Sequence, residues 1–210
     1  MQGPKIVWGH FANERSFSFD PSGSYLNNKC FFLPGSAHEL CAMLNSRVFW
    51  SGLSALARIK RGNYFEAEAQ YVEQLPIPDL GKKARSRLST LGQACTIAAR
   101  ARFAIQSAVR RRILDLAPPE KRKLNGRLEN WHSLDFAAFR KAVKTAFRAD
   151  IPLKERGEWE AYLGENGREV ASLTAEIAAA EAEIDRLVYA AFDLMPDEVA
   201  LLEASLEGQY

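Results

Sequence analysis

The chain has 210 residues, enough for one large domain or two small ones, and its 47% apolar and 26% charged content argues against wholesale disorder. No apolar run approaches the roughly 18 residues of a membrane span, and the N-terminus lacks a positive-then-apolar signal pattern, so a cytoplasmic protein without a membrane span is expected. Three cysteines, Cys30, Cys41 and Cys95, with no CxxC pair argue against a disulfide framework and are expected to serve packing.

The net charge of +2 conceals an asymmetry: residues 81–150 carry 17 basic and 5 acidic side chains, whereas residues 151–210 carry 4 and 14. The basic middle is a candidate polyanion surface or an ordinary charged helix face. The acidic end can neutralise part of it, keep DNA off one face, or simply be solvated.

In chain order, Ile6-Val7-Trp8 reads as a strand, and Ser16-Phe17-Ser18-Phe19 alternates with period two. Asp20-Pro21-Ser22-Gly23 is a turn, and Lys29 to Leu33 is a further strand. So small a sheet needs a cover, because an isolated hairpin is marginal in water. Pro34-Gly35 breaks the strand, and Ser36 with Glu39 forms a capping-box pattern. A covering helix is expected from there to about Trp50, with Leu40, Cys41, Leu44 and Val48 on its inner face.

Arg58 to Leu80 is read as a strand or edge, a tight turn at Gly62-Asn63, then a strand or short helix through Ala67 to Val72. Leu75-Pro76-Ile77-Pro78 is a stiff exit, since each proline holds the preceding residue extended. A domain boundary is expected there, giving a strand-rich unit over 1–80 and a helical bundle over 81–210, basic to about residue 150 and acidic after it.

Lys82 to Leu116 is expected to form one long helix or two end to end. Its seam is Leu88, Leu91, Cys95, Ala98, Ile105, Val109, Ile113 and Leu116, and Gly92 costs it about 1 kcal/mol. Ala117-Pro118-Pro119 ends it, and Lys121 to Lys123 lead into a loop through Asn125-Gly126. Asp135 precedes an aromatic-faced helix carrying Phe136, Phe139, Val143 and Phe147, which Ile151-Pro152 interrupts. A short helix carrying Trp159 and Leu163 is expected to close at Gly164. Val170, Leu173, Ile177, Ala180, Ile184, Leu187 and Ala191 then mark a long acidic helix able to pair antiparallel with the basic one. That pairing would give the charge asymmetry a purely structural explanation. Pro196 suits the first turn of a final helix. The fold class is α+β: a small sheet with one covering helix, then a bundle built on two long antiparallel helices.

The segments FSFDPSGSYLNNKCFFL, ELCAMLNSRVFWSGL, RGNYFEAEAQYVEQLPIPDL and EVASLTAEIAAAEAEIDRLVYAAFDLMPDEVALLE carry a family resemblance. The chain resembles the TaqI-like C-terminal target-recognition (specificity) domain of adenine-specific DNA methyltransferases and fused restriction-modification enzymes of the TaqI and Eco57I type. Its most specific marks are an Asn-Ser after an apolar helix with Leu-Pro-Ile-Pro about thirty residues later, and Glu183-Ile184-Asp185-Arg186-Leu187-Val188-Tyr189 before a short acidic helix. Residues 117–165 are the least diagnostic.

The resemblance implies sequence-specific recognition of double-stranded DNA on behalf of a methyltransferase catalytic domain, in cis or in trans. That domain binds S-adenosylmethionine and methylates the N6 amino group of a flipped adenine. Its glycine-rich cofactor loop and Asn-Pro-Pro-Tyr segment have no counterpart in this sequence, where the nearest segment is Ala117-Pro118-Pro119-Glu120. The chain alone is therefore expected to perform no bond chemistry and to hold no cofactor of its own.

Recognition needs phosphate contacts for register and a few base-edge contacts for specificity. The candidates on the strand-rich unit are Arg15, Lys29, Arg58, Lys60 and Arg61, with Asn63 able to offer an amide to adenine. Arg110, Arg111, Arg112, Lys121, Arg122 and Lys123 suit backbone clamps or the polar face and cap of a bundle helix. Tyr64 and Phe65 suit a wedge beside a base or a place in the core. His38 and Cys41, with Cys30 and His10 upstream, have zinc-like local spacing without a second half, so no metal is expected. Glu66, Glu68 and Glu73 lack a nuclease arrangement. Two other readings stay open: a helical adaptor or inhibitor that docks on a restriction-modification enzyme, and a methyltransferase subunit with an unrecognised catalytic centre.

Overall fold

A computed structural model describes residues 3–35, 37–60 and 64–207. It is α+β, with two small antiparallel sheets near the N-terminus followed by helices.

Strands β1 (Lys5–Gly9), β3 (Ser18–Asp20) and β4 (Cys30–Pro34) form one sheet in the order β3-β1-β4, with Ile6 opposite Phe19 and Leu33. Period-two alternation puts Ile6 and Trp8 into the core with Phe17 and Phe19. The turn after β3 is shaped by Asp20, whose carboxylate accepts from the Ser22 hydroxyl and from the Ser22 and Ser24 N–H groups, and by Gly23 at φ 71°. These bonds, led by that of the Ser22 hydroxyl, hold Asp20 down at a pKa of about 2, with help from buried Lys5, which pairs with it at 3.7 Å.

Strands β2 (Phe11–Ala12), β5 (Ile59–Lys60) and β6 (Tyr64–Glu66) form the second sheet, in the order β2-β6-β5. It is stitched to the first through Trp8, whose indole N–H donates to the Ala67 carbonyl at 2.7 Å.

The covering helix is two helices, which corrects the expected single run to Trp50: α1 spans His38–Leu44 and α2 spans Arg47–Leu56. The break is local chemistry. Asn45 leaves the helix to bond Phe17, with its Oδ1 accepting from the Phe17 N–H at 3.1 Å and its Nδ2 donating to the Phe17 carbonyl at 2.8 Å. Ser46 then caps α2, accepting from the Phe49 N–H. At the start of α1 the cap position falls on Ala37, and Ser36, half of the expected capping pair, lies outside the described residues. Leu44, Trp50 and Leu53 are fully buried, each contributing about 1.5–3 kcal/mol of burial. The chain then passes through β5, β6 and the short helix α3 (Ala69–Val72) into the proline exit.

Helix α4 spans Lys82–Leu114 without interruption, and its basic last turn holds Arg111 and Arg112. A 3-10 turn at Pro119–Lys121 follows, then α5 (Gly126–Glu129), a 3-10 turn at Trp131–Ser133, and α6 (Phe136–Phe147). Asp135 caps α6 through the Ala138 N–H at 2.7 Å, as its position before the aromatic run implied. Helix α7 spans Arg156–Ala191, so the expected stop at Gly164 is corrected. A helix-interior glycine costs only about 1 kcal/mol, and the buried Trp159 and Val170 on either side of Gly164 outweigh it. Helix α8 spans Pro196–Glu207 with Pro196 in its first turn.

Two compact units result: Met1–Thr96 with Ala178–Tyr210, and Ile97–Ile177. The division expected at residue 80 follows the chain, whereas both long helices contribute to both units. In the first unit α4 and α7 pack through Leu88, Leu91, Ile184 and Val188, with Arg87 and Glu183 in a two-bond pair at 2.6 Å. In the second, Val109 and Ile113 of α4 share a core with Phe139, Val143 and Phe147 of α6 and Trp159 and Val170 of α7. The basic-against-acidic helix pairing is realised at Arg87–Glu183, where the guanidinium holds the Glu183 carboxyl below its usual range.

Candidate nucleic-acid interface

In the first unit the β5–β6 hairpin is the exposed edge. Residues opposite one another on antiparallel strands share a face. Ile59 faces Phe65, which faces Ala12, while Lys60 faces Tyr64 and Glu66 faces Phe11. One side of the sheet therefore carries Phe65 and Ala12, both buried, with Phe65 edge-on to Trp50 at 5.5 Å; this anchors the hairpin on α2. The other side carries Phe11, Tyr64, Lys60 and Glu66. Phe11 is 48% and Tyr64 42% exposed. Ile59, at the end of the inward row, is 69% exposed, which leaves an apolar edge beside exposed Arg58 and Lys60.

The structure brings Arg58 and Lys60 together on this edge; Arg61 and Asn63, with the Gly62-Asn63 turn, lie outside the described residues. Lys60 Nζ rests 3.0 Å from Glu66 Oε1. Lys29 is exposed just before β4. Arg15 is engaged within the fold: it donates to the Asn45 carbonyl at 3.0 Å and faces Glu181 and Asp185 at 3.6 and 3.9 Å. Tyr64 and Phe65 divide the two roles open to them, Tyr64 on the surface and Phe65 in the core.

The other basic group belongs to the second unit. Arg111, Arg112, Arg122 and Lys123 are exposed and Lys121 half-buried. Arg110 donates to the Glu129 carbonyl at 2.9 Å, and Arg122 stands 3.8 Å from Asp115. Arg112 lines a cavity of about 480 Å³ with Glu155, Glu158, Trp159 and Tyr162. His132 is held below its ordinary pKa by burial and by Arg110 and Arg102.

Sequence reasoning missed the ionic cluster that ties α7 and α8 to α2. Asp185, 6% exposed, accepts from the Arg47 N–H at 2.8 Å, and Arg47 pairs with Glu203 at 2.8 Å. Burial raises the Asp185 pKa in spite of these partners, and it raises that of Tyr189, which donates to Glu203. Its signal lay in Glu183 to Tyr189, where Asp185 stands beside the apolar seam. Burial pushes the Cys41 thiol up to about 12, so it is a core group and not a nucleophile.

Residues 1–77, the part that holds both sheets and this edge, match the TaqI-like C-terminal specificity domain. This part of the chain is a specificity domain of that type. Residues 81–188 match the family described as Domain of unknown function (DUF8810), and the chain belongs to that family. No curated protein and no solved structure matches the chain. No described helix is long and apolar enough to cross a membrane.

Proposed function

We propose that the chain recognises a specific sequence of duplex DNA and positions a restriction-modification catalytic domain, an N6-adenine methyltransferase using S-adenosylmethionine, supplied in cis or in trans. The chain itself performs no bond chemistry and works in the cytoplasm. The observation that carries this reading is the specificity-domain match over residues 1–77, a region that carries exposed Arg58, Lys60, Phe11 and Tyr64 at the β2-β6-β5 sheet. The cations fix register on phosphates, while the exposed aromatics and the adjoining Arg61 and Asn63 meet bases. The cations of Arg110 to Arg112 and Lys121 to Lys123 serve as sequence-independent clamps.

Fluorescence anisotropy against a randomised duplex pool, followed by selection, tests this. Binding should weaken steeply with salt, and Lys60→Ala should lower the salt slope by about one. Tyr64→Ala should relax sequence preference more than it weakens binding. Absence of duplex binding at low salt, in the chain alone and with a co-expressed methyltransferase domain, would remove the proposal.

A further inference from the structure

We propose that His10, Glu66 and Glu68 form a binding site for a divalent cation of the zinc or manganese class. Their ligating atoms, one imidazole nitrogen and two carboxylate oxygens, all lie within 4.8 Å of one another. For three atoms so spaced there is always a point within about 2.8 Å of all of them, so inward movements of several tenths of an ångström reach the roughly 2.0–2.2 Å of zinc–nitrogen and zinc–oxygen bonds.

The three groups are held by backbone that has little freedom. His10 follows β1 directly; its N–H donates to the Lys29 carbonyl and its carbonyl accepts from the Ala67 N–H, both at 2.8 Å. Its ring stacks on Phe11 at 4.4 Å and meets Phe31 edge-on at 5.7 Å, which fixes the direction of the imidazole. Glu66 belongs to the β6 ladder, and the Glu68 N–H donates to the Glu66 carbonyl at 2.9 Å.

The histidine itself points to the missing partner. Its Nε2 is shielded from solvent and makes no hydrogen bond, although Glu68 Oε1 is only 3.4 Å away. A group placed merely for an ion pair would direct an N–H at that oxygen. A buried nitrogen without a hydrogen bond is unfavourable, and coordination of a cation removes that cost. The local charge agrees: two carboxylates face one ammonium, that of Lys60 on Glu66. A divalent cation would replace that ammonium and release Lys60.

One imidazole with two carboxylates suits zinc or manganese better than magnesium, which prefers oxygen ligands and retains its water. Three protein ligands leave a fourth position for water. Cation binding at this site requires no DNA, so it stands or falls separately from recognition.

The test is calorimetric titration of the full chain with Zn²⁺ and with Mn²⁺, under reducing conditions, beside Glu66→Gln, Glu68→Gln and His10→Gln. Circular dichroism confirms that each variant is folded, and the glutamate variants preserve side-chain volume should the histidine variant unfold. One-to-one binding that each glutamate variant weakens at least tenfold, with Mn²⁺ broadening the His10 and Glu68 resonances, is expected. No binding at about 1 mM Zn²⁺ and Mn²⁺, or binding that the Glu66→Gln, Glu68→Gln double variant retains unchanged, would overturn the site.

Discussion

The two compact units solve the same problem with different materials. Met1–Thr96 with Ala178–Tyr210 is held by connections between distant parts of the chain: Trp8 to Ala67, Asn45 to Phe17, Asp185 to Arg47. Ile97–Ile177 is held by one aromatic core, with short helices capped by Asn125 and Asp135. In the first, polar side chains add long-range ties to short strands whose register one-sided burial already specifies. In the second, helix periodicity is enough, and cations such as Arg111, Arg112 and Lys123 are left on the exposed outside.

The sharpest way to break this contrast is through the aromatic core. Phe139 is fully buried and stacked on Trp159 at 6.0 Å, so Phe139→Ala should cost about 3–5 kcal/mol. Hydrogen exchange should show the loss of protection concentrated in residues 97–177; an equal loss over residues 1–60 would erase the distinction between the units. Asn45→Ala should cost about 2–3 kcal/mol in a urea midpoint, since it strands the Phe17 N–H and leaves the Phe17 carbonyl only the weak Cys41 thiol donor at 3.6 Å. A negligible cost would mean that strand pairing and burial, not this amide, position β3.

Gly92→Ala tests close packing. Helix propensity alone favours alanine by about 1 kcal/mol, but the added Cβ would lie 2.7 Å from the His38 carbonyl oxygen, a backbone atom. A net destabilisation of about 1–3 kcal/mol is expected. A gain in stability would show that α1 can move away freely.

The smallest effect is that of Asp20. Its pKa is depressed in the folded chain, so ionised Asp20 stabilises above its unfolded value of about 3.9, and this contribution is lost as pH falls toward about 2. Asp20→Asn should be less stable than the parent by about 1 kcal/mol at pH 6, after allowance for its solvent exposure. The gap should begin to narrow near pH 4 and close only as pH falls through about 2, and a gap that stays constant would remove the charge from the account.

Most of the second unit was legible because its longer helices announce themselves locally, whereas the one-turn helix α5 falls where the sequence reads as a loop through Asn125-Gly126. Asp135 sits where a cap is needed, and Phe139, Val143 and Phe147 recur at helical spacing. Gly164 misled because a glycine's cost is local, whereas the gain from continuing α7 comes from partners on other elements. The Asn45-Ser46 break was present as a family mark, but its reason, the bond to Phe17, spans 28 residues. The candidate interface was half legible. Arg58 and Lys60 could be marked as basic, but their place on one edge with Phe11 follows from strand pairing across more than fifty positions. Arg15 looked equally available in sequence, and only the fold turns it toward Asn45, Glu181 and Asp185.

By itself the sequence determined the α+β class, the periodic helices, the Asp135 start of α6 and the specificity-domain type, because propensity, patterning and motif spacing act over a few residues at a time. Tertiary structure alone decided that both long helices serve two units, that Asp185 is buried, and that His10 stands beside Glu66 and Glu68. Those facts depend on which distant residues pair, and pairing is set by the sum of burial and hydrogen bonding over the whole chain.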